Sequence, residues 1–175
     1  MGRKFLSFAA FAATVSAVIV LFKILNWMPS IIEGGLLKRY GSIDEVRTKL
    51  QFTEIYVPSY FPQRFAWPPS SVLAQTSPYR AIVMEFRDRE KGEVALTIVQ
   101  SASESFRPDK QIVMVQTKER ERYPLKGRDA DLEVGVCKNE EPCSKISWKE
   151  GQYSITVTMK SVASDLTRLA ESMIR

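Results

Sequence analysis

The chain has 175 residues, 45% hydrophobic and 26% charged, with 25 basic and 20 acidic residues and a formal net charge of +5. Histidine is absent, which removes Ser-His-Asp and Cys-His catalysis, histidine metal ligands and an imidazole pH switch together. The two cysteines cannot make a four-ligand zinc site without carboxylate help, and no GxGxxG, Walker loop or GxSxG is present.

The first element is Phe5–Leu25, FLSFAAFAATVSAVIVLFKIL. Phe5 to Phe22 is a run of 18 uncharged residues, which as a helix rises about 27 Å against a hydrocarbon core of about 30 Å. Lys23 at its far end suits snorkelling to the headgroups, and Trp27 suits the membrane interface. Pro29 marks a helix end. A single transmembrane anchor over residues 1–28 is therefore expected, with the bilayer as one partner. The competing expectation is a cleaved signal peptide, with Met1–Lys4 as its basic region and Val15-Ser16-Ala17 as a small-residue cleavage site. The most apolar part, Val18–Phe22, lies beyond that site, where a cleavable signal should turn polar. Arg3, Lys4 and the amino group favour a cytoplasmic N-terminus, with the remaining domain outside the cytoplasm.

The basic balance is not a nucleic-acid signal. Arg3, Lys4 and Lys23 stand in the first 25 residues without an acid, which leaves +2 for the remainder, spread over 22 basic and 20 acidic residues. Nucleic-acid binding wants clustered charge, so no nucleic-acid partner is expected.

Residues 29–41 read as a juxtamembrane linker. Within them Ser30–Tyr40, SIIEGGLLKRY, is either a short amphipathic segment or a linker with a few apolar residues, broken by Gly34-Gly35. Residues 42–175 read as one domain. Ser42 and Glu45 form a capping box that opens a helix over Ile43–Leu50. Phe52–Val57 is a strand candidate. Tyr56–Pro69, YVPSYFPQRFAWPP, holds four prolines that keep the chain extended. Its Tyr60, Phe61, Phe65 and Trp67 are either a docking surface for a protein partner or a cover that completes the core.

Ser70–Gln75 reads as a helical turn. Arg80–Arg87 and Glu93–Ser101 read as a hairpin about the turn Asp88–Gly92, followed by a polar loop over Ala102–Lys110. Further strands are expected at Gln111–Val115, Tyr123–Leu125, Asp131–Val136, Ile146–Lys149 and Tyr153–Met159. The charged run Lys118–Arg122 alternates in sign, as an exposed strand continuation or a helical turn does. Ser164–Arg175 closes the chain as a helix capped by Ser161 or Ser164, with Leu166, Leu169, Ala170 and Met173 on one buried stripe.

Cys137 and Cys143 bracket Lys-Asn-Glu-Glu-Pro between two expected strands, and outside the cytoplasm a disulfide is the simplest outcome. A redox-active pair is the alternative. The spacing is not Cys-x-x-Cys, and Glu140 and Glu141 would raise a thiol pKa rather than lower it.

Ile146–Arg175, ISWKEGQYSITVTMKSVASDLTRLAESMIR, resembles the C-terminal part of a bacterial extracytoplasmic domain of membrane-tethered sporulation and anti-sigma-type proteins. It is similar also to the ending of the C-terminal domain of the periplasmic regulator of the envelope-stress sigma factor. The shared pattern is a Trp strand, a Gly turn, a second strand and a helix ending Leu-Ala-Glu-Ser. The YVPSYFP stretch resembles the Pro-rich opening of the same family. The resemblance implies a small non-enzymatic α+β domain with a curved antiparallel sheet, covered by a C-terminal helix and a short N-terminal helix. Only four residues precede the apolar run, so a cytoplasmic sigma-binding domain is not expected. The function expected is that of a membrane-anchored, extracytoplasmic accessory or sensor protein without catalytic role or cofactor, which binds a membrane-protein partner. The alternative is a carrier or sensor of a lipid or other apolar ligand on the concave face of the sheet. An enzyme would have to draw on Glu85, Asp88, Asp129 and Asp131.

Overall fold

A computed structural model of the chain describes residues 15, 16, 18–23, 37–109 and 112–174. The chain divides into two units, Met1–Leu36 and Leu37–Arg175. In the first, Val15, Ser16 and 18–23 are helical, and the apolar side chains there are exposed, from 42% at Val15 to 66% at Phe22. Among the described residues no helix is long and apolar enough to cross a membrane. Most of the Phe5–Leu25 run lies outside the described residues, as do Trp27 and residues 30–36.

The second unit is α+β. Its strands are β1 (Lys38–Tyr40), β2 (Ser71–Gln75), β3 (Ala81–Arg87), β4 (Val94–Ser101), β5 (Met114–Leu125), β6 (Arg128–Cys137), β7 (Pro142–Glu150) and β8 (Tyr153–Met159). They form one antiparallel sheet in the order β1-β2-β3-β4-β8-β7-β6-β5. Its helices are α1 (Ile43–Leu50) and α2 (Ala163–Met173).

Alternation along each strand sends one set of side chains to the helices and the other to the opposite face. In β8, Ile155, Val157 and Met159 are fully buried, while Ser154, Thr156 and Thr158 between them are not. With Ile82, Met84, Leu96, Ile98, Leu132 and Ile146 these residues form the main core, closed by Val46 of α1 and by Leu166, Leu169, Ala170 and Met173 of α2. The stripe expected on the last helix is its buried face. The serine half of the capping box forms as expected, since Glu45 N–H donates to Ser42 Oγ at 3.1 Å, while the Glu45 carboxylate accepts from Gly41 N–H at 2.6 Å.

Four expectations need correction. Phe52–Val57 is irregular, not a strand. Phe52 and Ile55 are buried in the core, and a side chain takes the place of a partner strand. Tyr56 N–H donates to Gln100 Oε1 at 3.0 Å, and Gln100 Nε2 donates to the Glu54 carbonyl at 2.7 Å. Ser70–Gln75 is largely strand β2, because its ladder to β3 and β1 overrides any local turn tendency. Lys38–Tyr40, placed in the linker by its sequence, is edge strand β1. Finally, Val162 rather than a serine stands at the N-cap of α2, without a side-chain cap; Ser161 Oγ instead donates to Asp165 Oδ2 at 2.5 Å.

Strand β5 joins the two strands expected at its ends through the charged run between them. It is the far edge of the sheet, largely exposed, with two bulges in its pairing to β6. Charge and bulges are ordinary protection for an edge.

Cys137 and Cys143 are joined, with Cα atoms 5.3 Å apart. Both are buried beside Ile112 and Met114. Closing so short a loop is expected to stabilise the domain by about 2–2.5 kcal/mol. Denaturant titration with and without reductant checks this, and an unchanged midpoint would count against it.

Candidate functional site

The strand order forces a long crossing. Strand β4 lies in the middle of the sheet, yet the next strand, β5, is its far edge. The described parts of the connection, residues 102–109 and 112–113, lie on the face away from the helices. Phe106 fixes it there, buried against Ala81 and Val83 and edge-on to Tyr79 at 5.7 Å. Ile112 fixes its other end against the disulfide. Between these two apolar clusters lies a groove of about 520 Å³ on the open face of the sheet.

The register makes the floor of this groove polar. One row crosses five strands as Thr97, Thr158, Lys145, Glu133 and Arg120. The next runs Val99, Thr156, Ser147, Asp131 and Arg122. A third begins Ser101, Ser154 and Lys149. Ser147 and Thr156 share a hydrogen bond of 3.0 Å between their hydroxyls. Thr97 Oγ1 is shielded from solvent and has no hydrogen-bond partner among the described residues.

Four cations of the face, Arg120, Lys145, Arg128 and Lys149, are paired with carboxylates. Glu133 accepts from Arg120 and, at 3.1 Å, from Lys145 Nζ. Burial pushes the Glu133 carboxyl up, but the two cations outweigh it and hold the group below the usual carboxylate range. Lys149 Nζ lies 2.5 Å from Glu104 Oε1 of the crossing loop, and that hydrogen bond holds Glu104 low as well. Arg128 makes two contacts of 2.8 Å to the carboxylate of Glu150.

The carboxylates that an enzyme would have to use do not converge. Asp129 and Asp131 line the groove, while Glu85 sits on β3, with β4, β8 and β7 between it and β6. Asp88 closes the β3–β4 turn, accepting from the N–H groups of Glu90 and Lys91 at 2.9 and 3.1 Å. No cluster among the described residues could hold a metal ion. Behind the helices lie the side chains of the main core.

The Pro-rich segment divides the four aromatics proposed for a docking surface. Phe65 is core, 1% exposed, with its backbone in a bridge to Asp88; as a contact residue it is a correction. Phe61 is partly buried on the same core. Tyr60 is half-buried under the Arg168 guanidinium, 4.1 Å from the ring centre. Trp67 alone of the four is fully at the surface, 51% exposed. Its ring stacks on the buried Phe86 at 5.9 Å and meets Phe61 edge-on at 5.6 Å.

Sequence reasoning missed the polar rows. Their signal is the strict alternation of YSITVTM, whose Ser154, Thr156 and Thr158 share one face. Of the two remaining candidates, Lys23 is exposed at the end of the described helical stretch and Trp27 lies outside the described residues.

No family model matches the chain, and neither does any curated protein or solved structure.

Proposed function

We propose that the chain is a single-pass, membrane-anchored extracytoplasmic binding protein with no catalytic role, which meets a protein partner through the surface around Trp67. The anchor reading rests on the uncharged run Phe5–Phe22 and on the exposure of its described part, Val18–Phe22. The disulfide is consistent with a domain outside the cytoplasm. The resemblance of Ile146–Arg175 to the ending of a family of tethered extracytoplasmic domains points the same way.

The observation that carries the partner reading is Trp67. A half-exposed indole is an anchor residue of the kind that dominates interfaces, and here it rests on a rigid platform of Phe86 and Phe61. Docking such a preset ring costs little conformational entropy. A membrane tether raises its effective concentration for neighbours in the same bilayer.

The test uses the full chain in its own membranes, with a photo-crosslinking residue at position 67 or, as control, at the exposed Val115 of edge strand β5. The expected result is that the protein survives an alkaline carbonate wash in the membrane fraction and that position 67 crosslinks to one defined protein. Trp67→Ala, which removes a partly exposed ring, is expected to cost about 1 kcal/mol of stability or less. Release by carbonate would overturn the anchor. Equal crosslinking from both positions would overturn the Trp67 surface.

A further inference from the structure

We propose that the groove on the open face of the sheet binds a neutral oligosaccharide. At about 520 Å³ it falls within the usual range of ligand sites, about 300–1,000 Å³. It shares no residue with the Trp67 surface, so the two readings stand or fall separately.

The floor decides the chemistry. Thr156, Thr158, Ser147 and Ser154 present four hydroxyls from two adjacent strands. A hydroxyl is donor and acceptor at once, which matches a ligand built of hydroxyls. The walls add what a sugar ring also needs, since Val99 and Pro108, both part-exposed, offer apolar surface to its C–H faces.

The charges of the groove balance, which favours a neutral ligand. Four basic and four acidic side chains line the groove. Lys145, Lys149 and Arg128 are each already paired with a carboxylate. Outside Arg107, which donates to the Glu104 and Phe106 carbonyls, a phosphate, sulfate or carboxylate would have to break one of these pairs to be neutralised. An acyl chain would strip water from the hydroxyls and ion pairs without replacing their hydrogen bonds. An extended peptide fares no better, because such ligands bind by adding to a free strand edge. The backbones of β4, β8 and β7 are paired on both sides.

The experiment is isothermal titration of the full chain in a detergent without a sugar headgroup. The probes are the tetramer of β-1,4-linked N-acetylglucosamine, cellotetraose and a sulfated heparin tetrasaccharide. At least one neutral probe is expected to bind in the micromolar to millimolar range, and the sulfated probe more weakly. Ser147→Ala and Thr156→Val each remove hydrogen bonding without large volume change, and each is expected to weaken binding about fivefold. Trp67→Ala should leave it unchanged. If Thr156→Val fails to fold, Ser147→Ala and Thr158→Val carry the comparison. The proposal is overturned if neither neutral probe gives heat at about 10 mM, if the sulfated probe binds more tightly, or if the hydroxyl variants bind like the parent.

Discussion

Replacing Phe65 with alanine is expected to lower the unfolding free energy of the domain by about 3–5 kcal/mol. Phe65 belongs to the stretch that wraps the sheet, where the sequence leaves open a docking contact or a cover of the core, and its side chain is 1% exposed. Its ring meets Phe61 edge-on at 5.8 Å, and the Arg64 guanidinium lies over it at 4.8 Å. Its backbone is fixed as well, for Phe65 N–H donates to the Pro62 carbonyl at 3.1 Å and Ala66 N–H to the Arg87 carbonyl at 2.8 Å. Such a frame cannot collapse onto the space that the ring leaves, so the cavity penalty adds to the lost transfer energy. Denaturant titration beside Trp67→Ala is the check. Equal losses for the two variants would mean that Phe65 and Trp67 share one environment, and the division of the aromatic group would be wrong.

The difference between these two residues shows why the site was only partly legible. Sequence tells which residues are aromatic and that the prolines hold them extended. It does not tell which side of the extended chain faces the sheet, because the segment has no period of its own. That depends on long-range bonds such as Ser59 Oγ to the Ser172 carbonyl at 2.9 Å. Where a period exists, the reading was firm. The Leu166, Leu169, Ala170 and Met173 stripe is buried as its spacing requires, and the Glu150–Tyr153 hairpin closes at Gly151, whose φ of +58° suits glycine. Strand β2 and strand β1 exist by virtue of their partners and leave little local trace. The polar floor of the groove is intermediate. The alternation within Tyr153–Met159 is visible, but its alignment with Lys145 and Ser147 and the crossing loop above it follow from a strand order that no local pattern encodes.

Gly135→Ala is expected to destabilise the domain by about 2–4 kcal/mol and to loosen strand β5 in particular. Gly135 lies in β6 opposite Thr117 of β5 and Cys143 of β7. A Cβ at this position would come within 2.0 Å of the Gln116 carbonyl oxygen and 3.0 Å of Thr117 Cα. These are backbone atoms, so no side chain can swing aside; the edge strand itself must move. The two irregularities in its pairing, at Met114/Gln116 and Thr117/Glu119, flank that contact, so only glycine on β6 lets β5 approach so closely. Gly151→Ala is the instructive comparison. There nothing lies within 4 Å of the added carbon, and the cost is the left-handed backbone alone, about 1–2 kcal/mol. The two variants therefore separate by where they act. Hydrogen exchange should show faster amide exchange over Met114–Leu125 in Gly135→Ala, with the β7–β8 pairing still protected. Gly151→Ala should leave β5 protected. Unaltered β5 exchange in Gly135→Ala, with stability within about 0.5 kcal/mol of the parent, would show that β5 can shift at no cost and that its close approach to β6 is not required.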